Sequence, residues 1–294
     1  MISNIKGRIF LVGCPRSGTT LLQSLVAAHP QIISFPESKF FLRLVYPESW
    51  RTRLGLTRIG IASARARPNL VQFLQDIGQQ QMLKYLSPNI IFMEQYAKAF
   101  IKIIDELAIQ QNKQFWLEKT PEHLHRIKYI EHFVPDAKFI HILRNGEDVV
   151  ASLYEVSHKH PESWSGTWSL DKCINRWLKD VSISKEYQAK ANHLIITYDA
   201  IIQDSELVLR QICSFLDIPF DKNIINSRCD AAKKIIRDRE NWKQSVEGKI
   251  INTSGVKFNK LFNVAQKKYI RKRLVSPDYQ KIQQEYQKSI VNLV

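Results

Sequence analysis

The stretch RIFLVGCPRSGTT, residues 8–20, decides the fold. Residues 8–12 form an apolar run that ends at Gly13, which is typical of a parallel strand buried on both faces of a sheet. Residues 21–26 then place apolar side chains on one face of a helix that ends before Pro30. A glycine-rich turn between a strand and a helix presents backbone N–H groups and the positive end of the helix dipole to an anion.

The glycine spacing in this turn matches a nucleotide-binding loop, but the lysine of that loop is absent. In ATPases the motif is G-x-x-x-x-G-K-[ST]. Here Gly13 and Gly18 keep the spacing, and Thr19 and Thr20 follow directly. Arg16 supplies a permanent charge inside the loop, and the threonine hydroxyls supply further donors. The loop therefore predicts a phosphate-bearing ligand held without the ATPase lysine.

Short apolar runs alternate with helical patterns along the rest of the chain. Further strands are predicted over residues 31–35, 114–118, 137–143 and 193–198. This alternation predicts an α/β fold, a three-layer parallel sheet with helices on both faces, like that of the P-loop NTPases. Ligands of such sheets bind beyond the carboxyl ends of the strands. One cleft should therefore gather the residues at the predicted strand ends: Gly13, Glu118, Arg144 and Tyr198.

We expect residues 1–294 to form a single domain. Residues from about 45 to 110 have a helical pattern without a clear strand, which predicts a helical insertion or lid. The segment from about 257 to 294 predicts a basic, helical C-terminal part. A helix is also expected over residues 121–133, because Pro121 suits a first turn and apolar side chains follow near helical period.

The chain is strongly basic, with 43 Lys and Arg against 28 Asp and Glu and a formal net charge of +15. Residues 257–273 carry seven basic side chains and residues 50–75 carry five arginines, with no acid in either stretch. This charge predicts a polyanionic ligand and is compatible with peripheral association with an anionic surface. Solvated helix faces are the alternative. No nucleic-acid partner is expected, because zinc spacings and RNP motifs are absent from the sequence.

The cysteines and the N-terminus give no sign of a metal site or of membrane targeting. The four cysteines lack C-x-x-C spacing, which predicts free thiols and no metal ligands. The N-terminal apolar run is too short for a signal peptide or a membrane span. We therefore expect a cytoplasmic protein.

Two sequence elements together resemble a known family. PRSGTT, residues 15–20, resembles the 5′-phosphosulfate loop of sulfotransferases that use 3′-phosphoadenosine 5′-phosphosulfate (PAPS). FIHILRNGEDVVASLYE, residues 139–155, resembles the 3′-phosphate element of that family, a strand followed by an arginine and, eight residues later, a serine. The resemblance covers roughly residues 8–40 and 113–216.

The resemblance implies which residues bind PAPS. The 3′-phosphate would be held by Arg144 and Ser152. ITYDAII, residues 196–202, resembles a further family segment and implies that Tyr198 contacts the nucleotide, with a packed core tyrosine as the alternative. The 5′-phosphosulfate would be held by the loop residues Pro15, Arg16, Ser17, Gly18, Thr19 and Thr20.

The resemblance also implies catalytic residues, to which Arg16 in the loop would belong. LEKTPEH, residues 117–123, resembles the segment that carries a lysine towards the leaving group in Golgi-type sulfotransferases, which assigns this role to Lys119. SFPESKFF, residues 34–41, resembles the segment with the catalytic glutamate of tyrosylprotein and carbohydrate sulfotransferases, so Glu37 is favoured as general base.

Other bases remain open at this point. Glu118 is a second candidate carboxylate, less favoured because it precedes Lys119 and can point away from it. Cytosolic sulfotransferases use a histidine, but the positions of the histidines near the cleft in predicted helices or strands favour structural roles. These are His29, His123, His125 and His141.

The sequence therefore predicts a PAPS-dependent sulfotransferase that acts on a hydroxyl of a carbohydrate, glycolipid, small molecule or tyrosyl peptide. We expect in-line transfer without a metal, because fixed cations and N–H groups can neutralise the charge that develops on the departing phosphate and the sequence has no Asp-rich metal site. The nucleotide product would be adenosine 3′,5′-bisphosphate. One alternative is a P-loop nucleotide kinase, which the missing lysine after Gly18 disfavours. The other is a non-enzymatic, basic nucleotide-binding module, which would not account for Glu37. The sequence does not predict an oligomeric state.

Overall fold

The computed structural model describes residues 5–46, 60–235 and 252–291. Within these ranges, five parallel strands form one sheet in the order β2-β3-β1-β4-β5. All five predicted strands are present, with small shifts at their ends. Their bounds are Gly7–Gly13 (β1), Ile32–Ser34 (β2), Phe115–Lys119 (β3), Ala137–Leu143 (β4) and His193–Thr197 (β5).

Helices cover both faces of the sheet, as predicted. In the described part of the chain, the α-helices are Thr19–Ala27 (α1), Phe40–Leu44 (α2), Ala66–Asp76 (α3), Met93–Gln110 (α4), Ile127–Phe133 (α5), Gly146–Lys159 (α6), Leu170–Tyr187 (α7), Tyr198–Gln203 (α8), Ser205–Leu216 (α9), Ile224–Ile235 (α10), Val256–Leu261 (α11), Val264–Arg273 (α12) and Pro277–Val291 (α13). Two 3₁₀ segments span Gln80–Tyr85 and Pro121–Arg126.

The central strand β1 is buried on both faces, which explains its apolar sequence. Phe10 and Val12 pack into the core under α2 to α5, whereas Ile9 and Leu11 pack into the core under α1 and α8 to α10. Each of the four side chains is at most 1% exposed. Because successive strand residues face opposite sides, one short run stabilises both layers and fixes the position of Gly13 at its end.

The segment predicted as an insertion or lid is part of the core where the structure describes it, over residues 60–110. Helices α3 and α4 bury Phe73 and Phe100 in the same apolar cluster as Trp116 of β3. The rings of Phe40 and Phe100 stack with centroids 4.2 Å apart, which joins α4 to the beginning of α2. The arginines of residues 50–75 that precede residue 60 lie outside the described residues.

The helix predicted over residues 121–133 is in fact two elements. A 3₁₀ segment spans Pro121–Arg126, and α5 begins only at Ile127. The helical conformation is interrupted at Arg126, whose backbone angles are φ −126° and ψ 9°. The basic C-terminal segment is helical as predicted, as far as residue 291.

A buried chain of polar contacts links strands β4 and β5. His141 Nε2 lies 2.8 Å from His193 Nδ1, and His193 Nε2 lies 3.2 Å from Glu131 Oε1. Ser184 Oγ lies 3.2 Å from the other ring nitrogen of His141. Burial lowers the pKa of both histidines, and the neighbouring His193 lowers the pKa of His141 further. The folded protein therefore favours neutral imidazoles here.

The buried contacts of His141 and His193 predict that the protein loses stability in mild acid. The pKa of each histidine is lower in the folded than in the unfolded state. Its contribution is therefore complete above the unfolded pKa of about 6.5 and is lost as the pH falls below it, by up to about 1.4 kcal/mol per pH unit. We expect the free energy of urea-induced unfolding to drop between about pH 7.5 and about pH 5.5. His141→Gln should reduce this drop, and His158→Gln, at an exposed position, should not. An equal drop in both variants would contradict the assignment.

Candidate active site

The loop after β1 adopts a backbone conformation that requires glycine at position 18. Arg16 and Gly18 have positive φ angles of 74° and 95°. A Cβ atom at Gly18 would lie 2.4 Å from a ring carbon of Tyr198, so a larger residue does not fit. Ser17 N donates to Cys14 O at 3.2 Å and closes the turn. The glycine in the motif therefore allows the loop to lie directly on the tyrosine ring.

The loop presents open hydrogen-bond donors to one hollow. Helix α1 begins at Thr19, and its N-cap residue Gly18 offers no side-chain acceptor. The first N–H groups of a helix have no partner within the helix and are available to an anion. The Ser17 hydroxyl is buried without a partner among the described residues. Thr19 and Thr20 are also buried, so the donors of this hollow are largely shielded from bulk water.

Two arginines and a serine line the same region. Arg16 Nε donates to Ser152 Oγ at 3.0 Å. Burial and the nearby positive charge of Arg144 lower the pKa of Arg16. The Arg144 guanidinium stacks on the Tyr198 ring, 4.1 Å from its centroid, and its Nη2 lies 3.4 Å from Asp148 Oδ2. The sequence paired Ser152 with Arg144, but the structure joins Ser152 to Arg16, so the loop and α6 form a single cationic pocket.

Asp148 is part of this pocket and was missed in the sequence. Besides its ion pair with Arg144, its carboxylate accepts hydrogen bonds from Ser254 Oγ and Gly255 N, both at 2.8 Å. It therefore ties the beginning of the C-terminal segment to the pocket. The i,i+4 spacing from Arg144 is a signal that could have revealed the ion pair. The contacts with Ser254 and Gly255 could not be read from local sequence.

Lys119 and Glu37 meet beside the loop. Lys119 is the last residue of β3, only 2% exposed, and its Nζ lies 2.6 Å from Glu37 Oε1. The same Nζ lies 3.5 Å from Thr20 Oγ1. Because β3 lies between β1 and β2, its last residue is placed between the loop that follows β1 and the segment that follows β2. The sheet order therefore brings the two predicted catalytic residues to the anion-binding loop.

Glu118 has a different environment, because neighbouring strand residues face opposite sides. Its Oε1 accepts hydrogen bonds from Ser38 N at 3.2 Å, Ser38 Oγ at 2.7 Å and Thr120 Oγ1 at 2.7 Å. Its Oε2 lies 2.8 Å from His123 Nδ1, and His123 Nε2 accepts from Phe41 N at 3.2 Å. We call Glu118, Ser38, Thr120 and His123 the Glu118 clamp. It fixes the backbone next to Glu37.

The clamp also determines the charge of Glu118. Burial by itself raises the pKa of this carboxyl, but its interactions with His123, Thr120 and Ser38 outweigh burial and hold the pKa below its ordinary value. The Glu118 carboxylate is thus already bound by the other residues of the clamp. This arrangement favours a positioning role for Glu118 over the role of a base.

The candidate histidines all have partners that explain their positions. His123 belongs to the Glu118 clamp, and His141 belongs to the buried chain between β4 and β5. His29 Nε2 lies 2.9 Å from the Pro219 carbonyl oxygen. His125 Nε2 lies 2.7 Å from Asp180 Oδ1. These contacts agree with the structural roles expected from the sequence.

The described ranges hold neither a metal-binding cluster nor a membrane-spanning helix. There, no group of three or more His, Cys, Asp or Glu side chains is placed to hold a metal ion. Over the same ranges, no helix combines the length and the apolar composition that crossing a bilayer requires.

Comparison with known proteins identifies the class. A family model described as the sulfotransferase family matches residues 8–222. This interval includes the loop, Glu37, Lys119, the Arg144–Ser152 element and Tyr198. The chain belongs to the sulfotransferase family.

Curated relatives are distant and longer than this chain. The protein-tyrosine sulfotransferase of Drosophila melanogaster is 23% identical over 226 residues, which cover 74% of this chain and 39% of that protein. Protein-tyrosine sulfotransferase 1 of Danio rerio is 23% identical over 225 residues, which cover 74% of this chain and 55% of that protein. The chain thus spans about half or less of the length of these relatives.

Solved structures confirm the predicted fold. A sulfotransferase domain from the curacin biosynthetic pathway is similar with a TM-score of 0.60 and 18% identity, covering 92% of this chain and 98% of that domain. The sulfotransferase domain of the Synechococcus PCC 7002 olefin synthase is similar with a TM-score of 0.54 and 21% identity, covering 91% and 92%. At these identities the likeness establishes the α/β architecture.

The Glu118 clamp predicts a local effect of Glu118→Gln. Because His123 Nε2 accepts from Phe41 N, the ring proton lies on Nδ1 and faces residue 118. If the glutamine of Glu118→Gln keeps its amide oxygen towards Ser38, its amide N–H groups point at the Nδ1–H of His123. Loss of such a charged hydrogen bond costs roughly 1.5–3 kcal/mol. We expect the amides of Ser38 and Phe41 to exchange hydrogen at least about tenfold faster.

Hydrogen-exchange mass spectrometry of the peptide that covers residues 36–42 measures this effect. Glu122→Gln is the matched control, since Glu122 is close in sequence but lies outside the clamp. Unchanged exchange in Glu118→Gln, or an equal increase in both variants, would show that the clamp does not hold the segment.

Proposed function

We propose that this protein transfers a sulfuryl group from PAPS to a hydroxyl of an acceptor. The observation that carries the proposal is the Lys119–Glu37 ion pair beside Thr20 of the anion-binding loop. A carboxylate that can accept a proton and an ammonium that can stabilise a leaving oxygen are placed at one hollow. Membership of the sulfotransferase family supports this chemistry.

The described residues fit a nucleotide that carries phosphate groups at both the 3′ and the 5′ position of its ribose. The unpartnered Ser17 hydroxyl, the open N-terminus of α1 and the charge of Arg16 suit the 5′-phosphosulfate. Arg144 and Ser152 would hold the 3′-phosphate, and the Arg144 guanidinium packs on the ring of Tyr198. Bound PAPS supplies an activated sulfuryl group with a phosphate leaving group. The chain contributes the cations that neutralise it.

Glu37 and Lys119 would divide the proton and charge transfers between them. Glu37 accepts the proton of the acceptor hydroxyl, which strengthens that oxygen as a nucleophile. Lys119 has three N–H donors, of which one meets Glu37 and another faces Thr20. The positive charge of this ammonium can stabilise the oxygen on which negative charge develops as the S–O bond breaks. Arg16, fixed by Ser152, adds positive charge at the same loop.

The acceptor is proposed only as a hydroxyl compound. The curated relatives are named protein-tyrosine sulfotransferases, which supports a tyrosyl peptide among the candidate acceptors, beside carbohydrates, glycolipids and small molecules. A nucleotide kinase is disfavoured by the missing loop lysine. A non-enzymatic binding function would not account for the buried Lys119–Glu37 ion pair.

The assignment of the 3′-phosphate predicts the effect of Arg144→Ala. The variant should lose a charge-assisted contact of roughly 1.5–3 kcal/mol with adenosine 3′,5′-bisphosphate. Its affinity for adenosine 5′-monophosphate, which lacks the 3′-phosphate, should change little. Isothermal titration calorimetry with both nucleotides measures the difference. Arg210→Ala, which removes an exposed cation, is the control and should bind like the wild type. Equal weakening for both nucleotides would refute the assignment.

The assignment of the base predicts the effect of Glu37→Gln. Turnover should fall about 10²- to 10⁴-fold, because the amide keeps the shape but cannot take a proton. Affinity for adenosine 3′,5′-bisphosphate should stay nearly unchanged. Transfer of label from radioactive PAPS measures turnover, with whichever tyrosyl peptide, oligosaccharide, glycolipid or phenol the wild type sulfates fastest. Normal turnover in Glu37→Gln, with activity lost in Glu118→Gln or His123→Asn, would place the base elsewhere.

A further inference from the structure

The basic run of residues 257–273 is only partly used within the fold. Four of its seven cations bind neighbouring groups and hold α11 and α12 in place: Arg271 pairs with Glu147, Arg273 with Asp171, Lys257 with Glu155, and Lys267 donates to the Asn259 carbonyl. The remaining three are Lys260, Lys268 and Lys272. They are exposed and form no ion pair or hydrogen bond with any described residue.

Exposed apolar side chains are concentrated in the same segment. Among the described residues, eight large apolar side chains are exposed, and five of them lie between residues 256 and 275. Tyr269 has a structural role, because its hydroxyl donates to Asp171. The other four have no such role, and they are Val256 (63% exposed), Leu261 (37%), Val264 (83%) and Val275 (67%). Single exposed apolar residues are ordinary, but this concentration is not.

The exposed cations and apolar side chains lie on α11, on α12 and directly after α12. On α12, Val264, Lys268 and Lys272 follow at four-residue spacing and so form one row. This row lies opposite Ile270, the buried residue of the helix. We call this row the outer face of α12, together with Lys260, Leu261 and Val275, the exposed residues that precede and follow it in the chain. The sequence between residues 256 and 275 contains no acid.

We propose that this outer face is a docking surface for an anionic lipid bilayer. Lysines near a bilayer are attracted to acidic headgroups, and short apolar side chains between them can enter the boundary between headgroups and acyl chains. A nucleic acid would use the lysines but would leave the exposed valines and leucine without a purpose. The surface has three lysines and no exposed tryptophan or phenylalanine, so docking is reversible and salt-sensitive.

Docking in this way would bring the candidate active site towards the lipid. Arg271 of α12 pairs with Glu147 at the beginning of α6. Helix α6 begins directly after the carboxyl end of β4, where Arg144 lies. Helix α12, which carries the outer face, therefore lies near the same edge of the sheet as the cationic pocket. The surface itself is independent of the proposed reaction, since it does not include Glu37 or Lys119.

Co-sedimentation with lipid vesicles tests the proposal. Wild-type protein should sediment with phosphatidylcholine vesicles that contain about 30% phosphatidylserine, but not with pure phosphatidylcholine vesicles, at about 0.1 M salt. The triple variant Lys260→Gln, Lys268→Gln, Lys272→Gln should partition about fivefold more weakly for each lysine, or about 100-fold in total. The control is Lys128→Gln, Lys179→Gln, Lys222→Gln, with the same change of charge at three exposed lysines elsewhere. It should bind within about twofold of the wild type.

A second variant separates lipid insertion from charge alone. Val264→Ser with Val275→Ser keeps the net charge and should weaken vesicle binding about tenfold. Unchanged melting temperatures would show that both variants fold. The proposal is overturned by equal binding to neutral and acidic vesicles, by an equal loss in the control triple, or by full binding in the valine variant. Binding of a single-stranded oligonucleotide through these lysines without vesicle binding would also overturn it.

Discussion

The burial of Arg16 close to a second cation, Arg144, is the constraint on which the site depends. The loop after β1 holds Arg16 in a left-handed conformation, and the Tyr198 ring supports both Gly18 and Arg144. Asp148 offsets the charge of Arg144, whereas Arg16 forms no ion pair in the part of the chain that the structure describes. The lowered pKa of Arg16 is the consequence of this burial and repulsion. A polyanion that binds between the two guanidinium groups relieves both effects.

The sheet order then determines what surrounds the loop after β1. Strand β3 has β1 on one side and β2 on the other, so Lys119 at its end contacts both the loop and Glu37. The preceding residue Glu118 faces the other way and holds the segment after β2 through Ser38 and His123. Two neighbouring residues of one strand therefore have separate tasks. Lys119 contacts Glu37 and the loop, whereas Glu118 holds the segment that carries Glu37.

Much of this arrangement could be predicted from the sequence, because it depends on local signals. The apolar run of β1, the glycine frame of the loop and the strand-end position of Arg144 depend on short-range pattern. The clamp could not be predicted in the same way. The contacts that attach it to the segment after β2 join residues 80 or more positions apart, namely Ser38 with Glu118 and Phe41 with His123.

The bond between Arg16 and Ser152 was missed for the same reason, because it joins residues 136 positions apart. The break at Arg126 was missed because apolar spacing near helical period continues through it. A tertiary contact decided the pairing of Ser152 with Arg16. The sequence therefore predicted which residues gather at the sheet edge but not how they pair there.

The most direct test of the central claim is thermal stabilisation by nucleotides. A ligand at about 100 times its dissociation constant stabilises the folded state by about 2.7 kcal/mol and raises the melting temperature accordingly. Differential scanning fluorimetry should show that adenosine 3′,5′-bisphosphate raises the melting temperature by several degrees, since its two phosphate groups match the two arginines. ATP with Mg²⁺ at the same concentration should have a much smaller effect. Equal or greater stabilisation by ATP with Mg²⁺ would contradict a pocket built for a 3′-phosphorylated nucleotide.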